Sequence, residues 1–162
     1  MPAYSAKHLK CLALCNAMTI TRHFFKKHNF AYSRCTGNID DHDLHVHVLS
    51  FQVESKGLAF VREILDFRKL KKADRLTVQG MIAISDLERE RSEDRDFRLA
   101  ILTKNSLFRQ IGRIYALVIE TANLRVKVFD DQIDQAIMWL GYDAPRAEQI
   151  SRFIDVQSHI MG

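Results

Sequence analysis

The sequence predicts one α/β domain, in which helices pack on a single mixed, mostly parallel sheet of about five strands. Short apolar runs alternate with longer amphipathic segments, as they do where helices connect parallel strands. The first two apolar runs are separated only by the polar residues 26–29, which is typical of a hairpin and makes the sheet mixed. The chain has 162 residues, of which 47% are hydrophobic, so it has the length of one domain and can bury a core.

The first half of the chain predicts three strands and two helices. Apolar runs flanked by turn residues give the strands, at residues 18–25, 30–36 and 63–67. Asp40 or Asp41 begins the first helix, which Gly57 ends. Thr77 caps the second helix, and its residues 88–91 are expected to face solvent because they alternate glutamate with arginine.

The second half predicts two strands and three helices. The strands are expected at residues 97–103 and 124–129. Asn105 or Ser106 begins a helix whose apolar residues recur at helical spacing, and this spacing predicts a buried stripe formed by Leu107, Ile111, Ile114, Tyr115 and Val118. Asp131 caps the next helix, which Gly141 ends. Asp143, with a proline in the following turn, begins an additional C-terminal helix.

Residues 1–17 are interpreted as an N-terminal extension, with Met18 as an alternative start. The apolar run at residues 11–17 is short, is broken by Asn16 and lacks a signal-peptide cleavage pattern. No apolar run approaches the roughly 18 residues that a membrane-spanning helix needs. The three cysteines lack the spacing of a metal site, so we expect reduced thiols and a cytoplasmic protein.

Three stretches of the chain match a known family: Gly37-Asn38-Ile39, the ILDFRKL segment at residues 64–70, and the long block at residues 98–140. On these stretches the chain resembles the STAS (sulphate transporter and anti-sigma antagonist) superfamily, in particular its uncharacterised SpoIIAA-like bacterial proteins. The expected division is therefore an extension at 1–17, a SpoIIAA-like domain at 18–142 and a C-terminal helix at 143–162. The resemblance implies a protein-interaction module rather than an enzyme. A distantly similar fold, the CRAL-TRIO domain, implies a lipidic ligand.

The resemblance also shows where a phosphorylated switch would lie. Anti-sigma antagonists carry an Asp-Ser-Ser-Gly turn shortly after a strand aspartate, and the second serine of that turn is the switch. Counting from Asp66 places Leu76 at the switch position, with Thr77 adjacent to it. No phospho-switch is therefore expected, and Thr77 is interpreted as a helix cap.

The edge where the parallel strands end is the main candidate site. Ligands of open α/β sheets bind at this edge, and the helix N-termini found there favour anions. Two of the strand exits carry basic residues. The predicted anion-binding residues are Arg68, Lys69, Lys104, Asn105 and Ser106. The alternative is that Asn105 and Ser106 only cap a helix while the lysines are solvated.

A metal site and a cofactor are not expected. On a helix, Asp41 and His45 stand one turn apart, as do Asp43 and His47, and this spacing can share a metal. His42 and the other members of this cluster nevertheless fan around the helix rather than converge on one point. A polar helix face is the simpler interpretation.

Catalytic and nucleic-acid functions find less support in the sequence. It lacks the serine-hydrolase, zinc-protease, phosphate-loop and dinucleotide motifs, so no catalytic residue is assigned. Basic residues cluster at 22–28 and 68–75, but without a recognised nucleic-acid-binding module.

We therefore expect a non-enzymatic cytoplasmic binding or regulatory domain that acts through a protein partner or a small anionic or lipidic ligand. The helix after Thr77 and a loop at 68–74 are the expected contact surface. A nucleic-acid-binding protein and an enzyme without a recognisable motif remain the alternatives, and homo-oligomerisation is left open.

Overall fold

The computed structural model describes residues 19–92 and 95–160. Within them the strands are β1 Ile20–Phe25, β2 Phe30–Asp40, β3 Phe60–Arg75, β4 Asp96–Leu102 and β5 Leu124–Phe129. The α-helices are α1 Asp41–Glu54, α2 Val78–Ser92, α3 Ser106–Ile119, α4 Ile133–Trp139 and α5 Ala144–Ile160, and a single 3₁₀ turn spans Lys26–His28. The expected extension at 1–17 and Met18 lie outside the described residues.

The strands form one sheet in the order β1-β2-β3-β4-β5. β1 runs antiparallel to β2, and each later pair of neighbours is parallel. The left-handed backbone of Asn29 closes the turn between β1 and β2. The predicted mixed, mostly parallel sheet is therefore confirmed.

β3 is much longer than the predicted strand at 63–67. The basic residues after Phe67 were expected to leave the sheet as a loop, but they continue β3 as far as Arg75. The reason is that β2 also continues to Asp40, and its last residues pair with this part of β3 through shifts in register around Gly37. The expected contact loop at 68–74 is therefore a strand.

The helices cover both faces of the sheet, as alternation of side chains along the strands requires. One hydrophobic core joins α1, α2 and α3 to one face, and a second core joins α4 and α5 to the other. The second core contains Tyr32 and Ile64, which are opposite each other on β2 and β3. This face carries the candidate site at its carboxyl-terminal end.

The predicted buried stripe of α3 is confirmed at Tyr115 but is wrong at Leu107 and Ile114, because the buried side is rotated by about one residue. Leu107 and Ile114 are 59% and 52% exposed, whereas the side that contacts the sheet contains Phe108, Gly112, Tyr115 and Ile119. A Cβ on Gly112 would lie 3.0 Å from Val128 Cγ2, so the glycine allows α3 to approach β5 closely. Of the other stripe residues, Ile111 and Val118 are half-buried.

The outer face predicted for α2 is also partly wrong. Glu88 was expected to face solvent, but it is only 2% exposed and lines an interior cavity of about 30 Å³ between the sheet and the three helices of that face. The burial of Glu88 could not be predicted from the sequence, because it belongs to a run of alternating charges whose next members, Arg89 and Glu90, are exposed.

Candidate functional site

A polar cleft of about 240 Å³ lies beyond the carboxyl end of β4, beside the first half of β2 and the middle of β3, on the sheet face that α4 and α5 cover. Parallel strands bring their carboxyl ends to one edge of a sheet, and ligands of such folds bind there. The cleft is lined by Tyr32, Arg34, Asp66, Arg68, Lys69, Lys104 and Ser158. Three of the five predicted anion-binding residues are therefore in one cleft.

Arg68 is held rigidly by Asp66, which precedes it by two positions on β3. Its Nε lies 2.9 Å from Asp66 Oδ1, and its Nη2 lies 2.8 Å from Oδ2. The backbone N–H of Arg68 donates to the same carboxylate over 2.9 Å. Such a bidentate pair fixes both the position and the orientation of the guanidinium.

Tyr32 provides the other contact of the buried Asp66 carboxylate. Its hydroxyl donates to Asp66 Oδ2 over 2.6 Å. Burial alone would raise the pKa of Asp66, but the hydrogen bonds from Arg68 and Tyr32 outweigh it and lower that pKa. Burial, together with the negative charge of Asp66, raises the pKa of Tyr32 to about 12. Asp66 is therefore ionised and Tyr32 neutral at physiological pH.

Asp131 joins the two cations that the sequence placed on separate strand exits. Its Oδ1 lies 2.8 Å from Arg68 Nη1, and its Oδ2 lies 2.9 Å from Lys104 Nζ. Hydrogen bonds from Arg68 and Lys104 lower the pKa of Asp131. Arg68 and Lys104 are thus within reach of a single carboxylate.

The helix cap predicted for Asp131 is wrong. α4 begins at Ile133, the residue before it is Gln132, and no side chain caps this helix. Asp131 instead has a left-handed backbone, with φ +48°, in the loop between β5 and α4. Its carboxylate is directed to the cations of the cleft rather than to the helix.

Arg34 and Lys69 add further positive charge to the cleft. Arg34 is half-buried, and its Nη1 lies 3.5 Å from the carbonyl oxygen of Ser158 on α5. Lys69 is exposed. With Arg68 and Lys104, these side chains outnumber the carboxylates of Asp66 and Asp131, so the cleft has an excess of positive charge.

Asn105 and Ser106 do not line the cleft. The Asn105 side chain accepts hydrogen bonds from the backbone N–H groups of Leu107 and Phe108 and so caps α3. Ser106 is exposed in the first turn of that helix. Asn105 therefore acts as a helix cap, as the alternative interpretation held, and neither residue contributes to the cleft.

At the start of α2, where the family switch would lie, Thr77 is hydrogen-bonded to a carboxylate of α1, that of Asp41. Thr77 donates its backbone N–H to Asp41 Oδ1 over 2.9 Å and its hydroxyl to Oδ2 over 2.6 Å. The Thr77 hydroxyl also accepts the N–H of Gly80, which is the capping bond predicted from the sequence. Asp40 caps α1 in a reciprocal box with Asp43, so neighbouring aspartates serve two helix starts.

His47, the last histidine of the predicted polar cluster, is buried. Its Nε2 lies 2.8 Å from Glu63 Oε1, and Arg22 Nη1 lies 2.9 Å from its other ring nitrogen. The Ser33 hydroxyl donates to the same glutamate oxygen over 2.7 Å. This network anchors α1 to β1, β2 and β3, and the sequence signal for it was a charged residue, Glu63, at the start of an apolar run. Within the described part of the chain, no group of three or more histidine, cysteine or acidic residues is arranged to hold a metal.

The fold is that of a known structure. An uncharacterised protein of the DUF3478 family with a SpoIIAA-like fold, from Shewanella loihica PV-4, is similar to this chain with a TM-score of 0.51 and 16% sequence identity. The match covers 75% of this chain and 91% of that one. The chain is thus an α/β domain of SpoIIAA-like fold, as the resemblance in the sequence predicted.

The other comparisons add no relative. No family model matches the sequence, and no curated protein matches it. Across residues 19–92 and 95–160, none of the helices has the length and apolar character needed to cross a membrane.

Proposed function

We propose that this chain is a non-enzymatic, cytoplasmic binding domain that holds a small anion, a phosphate or a carboxylate, in the cleft beside the carboxyl end of β4 and the middle of β3. The observation that carries the proposal is that Arg68 of β3 and Lys104, in the loop after β4, both contact one carboxylate, that of Asp131. A pair of cations that can hold an internal carboxylate can hold an external anion in the same way. We do not propose a phospho-switch at Thr77, because the Asp41 carboxylate would repel a phosphate there.

The polar groups of the cleft favour binding over catalysis. A nucleophile needs a base beside it that is free to take a proton. The carboxylate of Asp66, which lines the cleft, is occupied by Arg68 and Tyr32, and that of Asp131, which contacts two residues of the lining, is occupied by Arg68 and Lys104. These carboxylates position cations, which is the role expected in a binding site.

A lipidic ligand finds less support than a small anion. The apolar cavity between the sheet and helices α1, α2 and α3 has a volume of about 30 Å³. This is enough for about one water molecule and too small for an acyl chain. The cleft is eight times larger and is lined mainly by polar and charged side chains.

The test is a titration of the protein with inorganic phosphate, followed by the backbone amide resonances of residues 66–69 and 104. We expect these resonances to shift with a dissociation constant on the order of millimolar, because the contacts are few and partly exposed. Lys104→Gln should weaken binding several-fold. Lys56→Gln is the matched control, because Lys56 is an exposed lysine near the start of β3, at the opposite edge of the sheet.

Equal weakening by the two substitutions would show that phosphate responds only to net charge, and the proposal would then be wrong. Shifts confined to residues outside the cleft would contradict it as well.

A further inference from the structure

We propose that Asp131 is an internal competitor for the anion cleft: its carboxylate occupies the position between Arg68 and Lys104, and a dianionic phosphate group displaces it. The inference rests on the proposed function of the cleft and specifies its ligand and its regulation. It starts from the two distances of 2.8 and 2.9 Å that join Asp131 to the two cations. An anion that binds both cations must take the place of this carboxylate.

The two carboxylates of the site differ in how readily they can leave it. The Asp66 side chain is 2% exposed, lies on a central strand, and accepts bonds from Tyr32 and from both the side chain and the backbone of Arg68. The Asp131 side chain is 41% exposed and lies in a loop. Exposed ion pairs contribute little to stability, so rotation of Asp131 into solvent costs little. Asp66 therefore keeps Arg68 in place while Asp131 exchanges.

Because the Asp131 carboxylate already contacts both cations, a phosphate should bind the cleft better than a monocarboxylate does. A monocarboxylate would replace Asp131 one for one, and it would compete against a group whose effective concentration is high because it belongs to the same chain. A phosphate dianion carries more charge and more acceptor oxygens, so it can contact Arg68 and Lys104 and also draw on Arg34 and Lys69, which line the same cleft. The geometry therefore points to inorganic phosphate or a phosphomonoester rather than to a monocarboxylate.

Asp131→Asn is the variant that tests this role. Asparagine tolerates the left-handed backbone at this position as aspartate does, so the loop can keep its conformation. Asp130→Asn is the matched control, because Asp130 is the neighbouring carboxylate but pairs with Arg109, which does not line the cleft. The two variants change the net charge equally, but only Asp131→Asn removes the carboxylate that contacts Arg68 and Lys104.

The experiment compares the affinities of the wild type and the two variants for inorganic phosphate and for acetate, under mildly alkaline conditions in which phosphate is dianionic. We expect Asp131→Asn to bind phosphate about twofold to fivefold more tightly, as removal of a competing exposed ion pair implies. Asp130→Asn should bind as the wild type does. Acetate should bind the wild type much more weakly than phosphate and should gain from Asp131→Asn by a similar factor, because both anions must displace the same carboxylate.

Two results would overturn the inference: unchanged or weaker phosphate binding by Asp131→Asn, or an equal gain from Asp130→Asn. If phosphate binding nevertheless depends on Lys104, the proposed function survives and only the role of Asp131 is wrong. If neither the wild type nor Asp131→Asn binds phosphate, the proposed function and this inference are both wrong.

Discussion

Asp66 determines the chemistry of the cleft because it is a buried carboxylate between a tyrosine and an arginine. A buried charge costs free energy unless it is paired and hydrogen-bonded, and Asp66 satisfies both conditions through Arg68 and Tyr32. The ion pair keeps Asp66 ionised, and it also fixes the guanidinium of Arg68 in the cleft. The cation of the proposed site is therefore part of the folded core.

The raised pKa of Tyr32 predicts a loss of stability in alkaline solution. Since the pKa is about 12 in the folded chain against the ordinary 10.0, the unfolded chain loses this proton first. The free energy of unfolding should therefore be unaffected by Tyr32 below about pH 10 and should fall as the pH rises to about 12. Tyr32→Phe should make this decline shallower, at a cost of about 1.5–3 kcal/mol at neutral pH for the lost hydrogen bond to a buried charged group.

Urea unfolding at a series of alkaline pH values measures this effect. Tyr142 is the appropriate comparison, because burial also raises its pKa and Tyr142→Phe should remove a separate part of the decline. A Tyr32→Phe variant whose stability declines as steeply as that of the wild type would show that Tyr32 ionises normally in the folded chain.

The packing of the helices depends on close contacts at glycine residues, which the spacing of apolar residues does not reveal. In α3, apolar residues cover more than one face, and periodicity alone selected a stripe that joins the exposed Leu107 and Ile114 to the buried Tyr115. The side that packs on the sheet is marked by Gly112, where the absence of a Cβ lets the helix approach Val128. A glycine inside an amphipathic helix was therefore the better guide to its buried face.

Gly80 likewise allows a close contact at the start of α2. Replacing it with alanine is therefore expected to destabilise the protein, although alanine is the better helix former. Alanine is favoured over glycine within helices by about 1 kcal/mol. A Cβ at position 80 would, however, lie 2.1 Å from Asp41 Cγ, so Gly80→Ala must displace the carboxylate that accepts both hydrogen bonds from Thr77. We expect Gly80→Ala to destabilise the protein by about 1–2 kcal/mol, which corresponds to the loss of these bonds less the gain in propensity.

The same substitution in an Asp41→Ala background provides the control. There the Cβ meets no carboxylate, and Gly80→Ala should be neutral or stabilising. The four free energies of unfolding form a double-mutant cycle whose coupling measures the Asp41–Thr77 contact. Equal effects of Gly80→Ala in the two backgrounds would show that Asp41 does not hold the start of α2.

At the scale of the molecule, the alternation of strands and helices was sufficient to predict the sheet, its parallel core and the edge that carries the site. The length of β3 could not be predicted, because its polar second half is a strand only through pairing with β2. For the same reason the sequence placed Arg68, Lys69 and Lys104 in the cleft but missed Tyr32 and Arg34, which are brought there by the β2–β3 register. Ser158 was also missed, because it depends on how α5 packs across the sheet.

Anion binding should be visible as a change in the stability of the whole domain. A ligand that binds only the folded chain raises the free energy of unfolding by RT ln(1 + [L]/Kd). With a millimolar dissociation constant and a phosphate concentration about fiftyfold higher, the gain is about 2 kcal/mol. For a chain of this length, this corresponds to an increase in melting temperature of about 5–9 °C over chloride at the same ionic strength.

Phosphate also stabilises proteins without a site, because it is excluded from their surfaces, so the variants decide the interpretation. Lys104→Gln, which should weaken binding several-fold, should lose a measurable part of the increase that phosphate gives, whereas Lys56→Gln should retain all of it, although both remove one exposed lysine. Calorimetric melting curves of the three proteins in phosphate and in chloride provide the comparison. If all three gain equally, the stabilisation comes from surface exclusion and the cleft binds no phosphate. If the gain is reduced by Lys104→Gln but not by Lys56→Gln, phosphate stabilises the folded chain by binding in the cleft.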